Sequence, residues 1–301
     1  MTIEERLSLL EQQIAAQVPT PTEYYTSRWS GEEIDNCIAS LSNQNLLDNA
    51  YFKGGGSQQG GGQFPINQRG QNSYNATGGI MDRWVLGTGA AIGGVAVTLS
   101  ADGLVLNGNT QYQYTLMRQT LSAPVLSGQT YTLSVLLANG TLVQASGLAT
   151  VEATIWCYLQ ITPTSYIRAV GLNTVEIVET TEASPIKALK MEAGSHQTLA
   201  HQENGQWVIN ETPDYGEELA KCQRYFYRYV GNVFLCNYAT GEGYASFEFP
   251  VEMRITPTVT IDSYNPDWGV PDARSINSHG LVFHSTSNGG IVTQFTASAE
   301  L

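Results

Sequence analysis

The chain has 301 residues, with 27 acidic and 14 basic side chains and a formal net charge of -13. That balance disfavours polyphosphate partners and anionic membrane surfaces, so neither a nucleic-acid partner nor membrane insertion is expected. Charged residues make up 14% of the chain, against about 25% in ordinary soluble domains, so Ser, Thr, Asn, Gln, Gly and Tyr must supply the solvent face.

In chain order, Ile3, Leu7, Leu10 and Ile14 follow a coiled-coil a/d pattern that Pro19 and Pro21 end. Two heptads are too short to be stable alone, so residues 1–22 are expected to pack on their own chain or to form a short helical stub for oligomerisation or attachment. Residues 23–46 form a linker and a short amphipathic helix. Ser30-Gly31-Glu32-Glu33 reads as its capping box, Trp29 as a staple before it, and Ile34, Cys37, Ile38 and Leu41 as its apolar stripe.

From residue 47 to 198 the apolar period is two. Val95, Val97 and Leu99, the Asp102-Gly103 turn, then Leu104 and Leu106 predict a hairpin. Tyr131, Leu133, Val135 and Leu137 alternate up to an Asn139-Gly140 turn. Val151, Ala153, Ile155, Cys157, Leu159 and Ile161 predict one long strand, followed by strands at Val175–Ile177 and Ile186–Met191. Residues 199–214 are polar and read as a linker. In 215–301, Asp214 and Glu217 predict a capped helix with Leu219, Cys222, Gln223 and Phe226 on one face. Alternation then resumes from Val233 to Val251, at Val259–Ile261, at Leu281–Phe283 and from Ile291 to Phe295, with Ser287-Asn288-Gly289-Gly290 as a hairpin turn. The expected fold is mostly β: an antiparallel sandwich or jelly roll, then a smaller β-sandwich, with short N-terminal helices.

Reactive chemistry is sparse. Gly87–Gly94 lacks the spacing of a phosphate loop, and the chain has no Gly-x-Ser-x-Gly, no His-Glu-x-x-His and no calcium-loop pattern. Cys37, Cys157, Cys222 and Cys236 have no zinc-ligand spacing and read as buried free thiols, with a Cys222–Cys236 disulfide left open. His279 and His284 flank a strand without an evident third metal ligand. A glycosidase needs two carboxylates about 5 or about 6.5–9.5 Å apart, and nothing in the sequence singles out such a pair. A protein that is not an enzyme, with no cofactor and no metal, is expected. No basic segment leading into an apolar run opens the chain, and no stretch approaches the roughly 18 apolar residues of a membrane span.

Five Trp and sixteen Tyr offer flat faces on which sugar rings can stack. Two groups combine aromatics with side chains that can fix hydroxyls: Tyr51, Arg69, Tyr74, Asp82 and Trp84, and, in a Pro- and Gly-punctuated loop, Tyr264, Asn265, Asp267, Trp268 and Arg274. Loops on a rigid scaffold commonly carry function, which favours the second group.

The run Asn45–Phe52, the segment Phe64-Pro65-Ile66-Asn67-Gln68-Arg69-Gly70 and the triplet Asp82-Arg83-Trp84 together resemble the opening of a β-sandwich module of phage and prophage tail-fibre or receptor-binding proteins. Pro213–Phe226 and Phe249–Val259 resemble parts of the last domain of the same family, and Ile186–Gly194 the closing strand of its carbohydrate-binding-type jelly rolls. Gly54–Gly62 departs from the family pattern and reads as a flexible insertion. The resemblance implies a homotrimer in a phage tail, made in the host cytoplasm, that adsorbs to a bacterial surface polysaccharide or wall glycan and assembles with other virion tail proteins. It also implies a framework role for Asp82-Arg83-Trp84. A purely structural tail or baseplate component and a tail-associated glycan depolymerase are the alternatives.

Overall fold

The computed structural model describes residues 6, 42–52, 64–87, 97–107, 115–151, 154–163, 165–179, 184–239, 241–287 and 289–300. The chain divides into two compact units, Met1–Leu41 and Ser42–Leu301, and the architecture below is that of the second. The predicted coiled coil, the capping-box helix with Trp29 and Cys37, and the Gly54–Gly62 insertion lie outside the described residues, as does most of Gly87–Gly94.

The first part of the unit is a two-layer antiparallel sandwich. Its strands are β1 (Ser73–Tyr74), β2 (Gly78–Gly79), β3 (Val85–Leu86), β4 (Val97–Ser100), β5 (Gly103–Leu106) and β6 (Thr115–Thr120). They continue with β7 (Thr130–Leu137), β8 (Leu142–Leu148), β9 (Ile155–Gln160), β10 (Tyr166–Val170), β11 (Thr174–Glu179) and β12 (Ile186–Ala193). One sheet has the order β1-β4-β5-β12-β7-β8 and the other β2-β3-β6-β11-β10-β9. Because β12 returns to lie between β5 and β7, the topology is of the jelly-roll type rather than a meander. Alternation sets the core: Leu133, Val135 and Leu137 of β7 meet Met117, Cys157, Leu159, Ile167, Val175 and Ile177 of the facing sheet, with Phe52 and Trp84 between the layers.

The two hairpins signalled by Asp102-Gly103 and Asn139-Gly140 form as β4–β5 and β7–β8. At Gly103 the backbone takes a φ of +134°, and a side-chain carbon there would fall inside contact distance of the Ile186 carbonyl oxygen. The long strand predicted over 151–161 is shorter than its pattern: β9 begins at Ile155, and Val151 and Ile155 are 53% and 45% exposed. The reason is a slip in register: the pairing of β9 with β10 shifts between Ala169 and Val170, so Trp156 packs against the core and Ile155 turns outward.

The predicted linker at 199–214 also differs. It holds a hairpin, β13 (Ala200–Glu203) and β14 (Gln206–Ile209), whose Leu199 and Ala200 pack with Trp207 and Ile209 onto Leu136 and Ala188. The turn is Asn204-Gly205, a strong hairpin signal that the surrounding polar residues obscured.

Helix α1 (Tyr215–Gln223) is capped as its sequence implies: the Glu217 backbone N–H donates to Asp214 Oδ1 at 2.9 Å. Phe226 lies beyond the helix, where it begins β15 (Phe226–Ala239). The remaining strands are β16 (Glu242–Glu248), β17 (Thr258–Tyr264), β18 (Pro271–Arg274), β19 (Gly280–Ser285) and β20 (Gly290–Ser298), in the sheet order β17-β20-β15-β16-β19-β18. This smaller sandwich is one sheet closed over its own core along β15, which pairs with β20 through its first part and with β16 through its last residues. Rings of Tyr229, Phe247, Phe283 and Phe295 fill it, with Phe283 and Phe295 centred 5.1 Å apart.

The turn at Ser287–Gly290 was expected to close a hairpin, but β19 and β20 are not hydrogen-bonded neighbours, since β15 and β16 lie between them. A turn signal marks reversal of the chain, not the choice of partner, and here the two strands face each other through side chains. Arg274, expected on a loop, belongs to edge strand β18. Cys157 and Cys222 are buried free thiols, whereas Cys236, expected to be buried, is free and exposed on the outer face of β15. No disulfide joins Cys222 to Cys236. Among the described residues, no helix is long and apolar enough to cross a membrane.

Gly103→Ala is expected to lower unfolding stability by about 3 kcal/mol, through backbone strain and collision with β12. Urea denaturation followed by tryptophan fluorescence measures this.

Candidate functional site

The segments Asn45–Phe52, Phe64–Gly70, Asp82–Trp84 and Pro213–Phe226 meet in space, at the seam between the two sandwiches. Asn49, at a φ of 52°, is buried and fully bonded. Its Nδ2 donates to the Ile66 and Asp82 carbonyls at 2.7 and 2.8 Å, and its Oδ1 accepts from the Ile66 N–H at 2.6 Å. Its own carbonyl accepts from Trp84 Nε1 at 2.9 Å, and its N–H donates to Glu218 Oε1 of helix α1. Beside it, the Asp48 backbone exchanges bonds of 2.8 and 2.7 Å with the Gln119 amide, and its carboxylate receives Arg83 Nε at 2.9 Å and Ser122 Oγ at 2.7 Å.

From there the network crosses into the second sandwich. The Arg83 guanidinium lies 3.5 Å over the Tyr225 ring, whose hydroxyl donates to Ser122 Oγ at 3.1 Å. Arg69 stacks 3.8 Å over Phe226 and pairs with Glu300, and Gln68 Nε2 donates to the Phe226 carbonyl at 2.7 Å. Phe64, Ile66 and Cys222 form a small apolar cluster against Tyr215 and Leu219.

This seam decides the fate of the first predicted group. Asp82 and Trp84 are 0% exposed, so neither offers a surface to a ligand. Tyr74 is buried to 6% exposure and its hydroxyl donates to Asn67 Oδ1 at 2.9 Å. Arg69 and Tyr74 line one groove of about 390 Å³ with Phe226, Arg228 and Asp262. Tyr51 lies apart from that groove: its ring packs edge-on against Phe64 at 5.5 Å, its backbone bridges to Ala188, and it lines a cavity of about 490 Å³ between β12, the β13–β14 hairpin and α1. The five residues therefore do not form one platform.

The second group fares differently. Asn265 Oδ1 accepts from the Asp267 N–H at 3.0 Å and so caps a 3-10 turn over Pro266–Trp268. The Asn265 N–H donates to the Ile291 carbonyl at 3.0 Å, which ties the loop to β20, and Tyr264 pairs with Val292 just before it. The Trp268 carbonyl accepts from the Ser285 hydroxyl at 3.3 Å and from that of Ser287. Its indole lies over Gly289, where a side-chain carbon would sit 3.1 Å from the ring at a φ of +147°. The glycine turn thus seats the tryptophan, a residue 48% exposed. Tyr264, Asn265, Asp267 and Trp268 are brought together. Arg274 is not. It pairs across the sheet with Val282, three residues along β18 from Pro271, and its Nε donates to Asp272 Oδ2 at 3.1 Å. Asp272 in turn contacts His284 Nδ1 at 3.0 Å, and that buried ring packs 4.9 Å from Tyr244.

One surface escaped the sequence reading. Tyr158 of β9 and Tyr166 of β10 stack at 4.7 Å with planes 27° apart, and Tyr158 is 46% exposed. Arg168, held by Glu176 at 2.6 Å, flanks them. The signal was present: with Cys157 and Leu159 facing inward, period two sends Tyr158 outward. Among the described residues, no group of three His, Cys, Asp or Glu side chains is placed to hold a metal ion.

Burial pushes the Asp82 carboxyl up to about 7, opposed by the Gln68 backbone N–H and the Arg69 charge. Between the ordinary carboxylate value of 3.8 and about 7, the folded state holds a proton that the unfolded chain has lost. The stabilisation is therefore complete below about pH 4 and is lost as pH rises towards 7. Relative to Asp82→Asn, the native protein is expected to lose up to ~1.4 kcal/mol per pH unit across that window, measured by urea titrations at several pH values. Asn49→Ala, which strands the Ile66 N–H and two buried carbonyls, is expected to cost about 3 kcal/mol or more in the same assay.

No protein-family model matches the sequence, and no curated protein sequence matches it significantly. Among solved structures, this chain is similar to wild-type discoidin II from Dictyostelium discoideum at 14% identity and a TM-score of 0.19, over 89% of this chain and 96% of that one. A native structure of recombinant discoidin II from the same organism gives 14% identity and a TM-score of 0.18, over 88% and 96%. Scores of this size do not establish a shared topology.

Proposed function

We propose that this chain is a non-catalytic glycan-binding protein of the phage or prophage tail-fibre or receptor-binding kind, which adsorbs to a bacterial surface polysaccharide or wall glycan through loops of its C-terminal sandwich. The observation that carries this reading is Trp268: a residue 48% exposed yet held by a capped turn, two serine hydroxyls and a glycine seat. An exposed aromatic face held rigid loses little entropy when a pyranose ring stacks on it. Asn265, Asp267 and Ser287 stand beside it to bond hydroxyls. The Tyr158–Tyr166 pair offers a second flat face on the jelly-roll part.

Single shallow faces bind weakly. A homotrimer would multiply that affinity through avidity, which is the use proposed for the coiled-coil pattern at residues 3–14. A purely structural tail component is the second reading, favoured by the extent of the polar seam, which joins the two sandwiches as a stiff spacer would require.

Trp268→Ala is expected to reduce retention on arrays of bacterial surface polysaccharides at least tenfold while leaving the melting temperature within about 2 °C, since the ring lies outside the core. Retention unchanged in this variant and in Tyr158→Ala would sink the glycan reading. Shortened polysaccharide products after incubation would show an enzyme instead.

A further inference from the structure

The chain has ten arginines against 27 acids, and they are not spread evenly. Arg83, Arg118 and Arg254 surround one cleft in the seam, of about 160 Å³, together with Thr120, Ser122, Tyr225 and Glu300. Residues of both sandwiches build it: Arg118 and Thr120 project from β6, Tyr225 joins α1 to β15, and Arg254 precedes β17. The carboxylate lining it is Glu300, whose Oε2 pairs with Arg69 and whose buried Oε1 has no hydrogen-bond partner among the described residues, while Asp48 pairs with Arg83 from outside the cleft.

Each arginine has a distinct state. Arg83 is bound by Asp48 at 2.9 Å. Arg118 is exposed and lies across from Glu176, which is engaged by Arg168 at 2.6 Å. Arg254 is anchored by its backbone N–H on the Arg224 carbonyl at 2.8 Å, and its guanidinium carbon lies 5.6 Å from the Tyr225 ring centre. Its Nε is buried and makes no hydrogen bond among the described residues. Leaving a charged donor buried and unmatched is costly, and the arginine that carries it lines a cavity that Arg83 and Arg118 also line.

We propose that this cleft binds a compact oxyanion, the phosphate or carboxylate substituent of an acidic polymer, between Arg118 and Arg254, with Arg83 held at its back by Asp48. Its volume is well below the roughly 300–1,000 Å³ of ordinary small-molecule pockets, which suits a single oxyanion group rather than a stacked sugar ring. Planar guanidinium forks match phosphate and carboxylate geometry. The net charge of -13 repels anions at long range, so binding of a lone anion is weak and falls with salt, and a polymer presenting many anionic groups is retained best. The site is independent of the Trp268 reading, which concerns neutral faces of a glycan.

The test uses the full-length protein, titrated with inorganic phosphate and separately with glucuronate, at low and at physiological salt. Saturable binding of either anion is expected, weakened at least tenfold by Arg118→Ala and by Arg254→Ala and unchanged by Trp268→Ala. Binding of phosphate alone assigns a phosphodiester polymer, binding of glucuronate alone a uronate polymer, and binding of both the shared oxyanion chemistry. Arg118 is exposed on its strand, so its variant keeps the fold and serves if Arg254→Ala does not. No saturable binding, binding equal in the Arg118→Ala protein, or a high-resolution structure in phosphate with Arg254 Nε and Glu300 joined only by water would overturn the proposal.

Discussion

The hydrogen bonds of Asn49 and the adjoining Asp48–Arg83 pair hold the molecule in its present form. They lie where the loop entering the first sandwich, the turn before β3 and the start of the second sandwich converge, away from water. In so apolar a place every donor and acceptor needs its partner, and removing one strands several others. Asn49 alone satisfies Ile66 twice and Asp82 once, and carries the Trp84 indole and the Glu218 carboxylate on its own backbone. The angle between the sandwiches is therefore set by polar geometry, with the Phe64, Ile66 and Cys222 cluster closing the apolar remainder.

That constraint explains which residues are free to meet a ligand. Arg69, Asp82, Arg83 and Trp84 have the chemistry of a sugar site, but the seam engages them all. Exposed aromatic faces remain where the seam does not reach, at the Trp268 turn of the second sandwich and at the outward tyrosines of β9 and β10. The seam also leaves charge unbalanced at its rim, where Arg118 and Arg254 border a cleft with a single carboxylate.

Much of this was legible residue by residue. Period-two alternation placed Leu133, Val135 and Leu137 in the core, Asp102-Gly103 turned a hairpin, and Asp214 capped α1 onto the Glu217 N–H. Those signals act within a few residues, through dihedral preference or a local hydrogen bond. The misreadings have one cause in common. Val151 and Ile155 follow the alternation of a buried strand, but Val151 lies before β9 and a register shift against β10 turns Ile155 outward while Trp156 packs on the core. Ser287–Gly290 reverses the chain without pairing the strands that it joins. Ala200–Ile209 looked like a linker until a surface on Leu136 and Ala188 gave its apolar residues a place to pack.

By itself the sequence determined the mostly β class, the turns, the helix cap and an uncharged polar surface, because each follows from propensity, period or composition. The motifs at 45–52, 64–70, 82–84 and 213–226 stood out as segments with a role, but not as partners of one another. Only the tertiary structure decided that they form a single seam, that Asp82 and Trp84 are inaccessible, and that Trp268 rests exposed on Gly289. Those outcomes depend on contacts between residues as far apart as Asn49 and Glu218, or Arg69 and Glu300. Such contacts are set by how layers stack and where sheets end, and no local pattern in the chain encodes that.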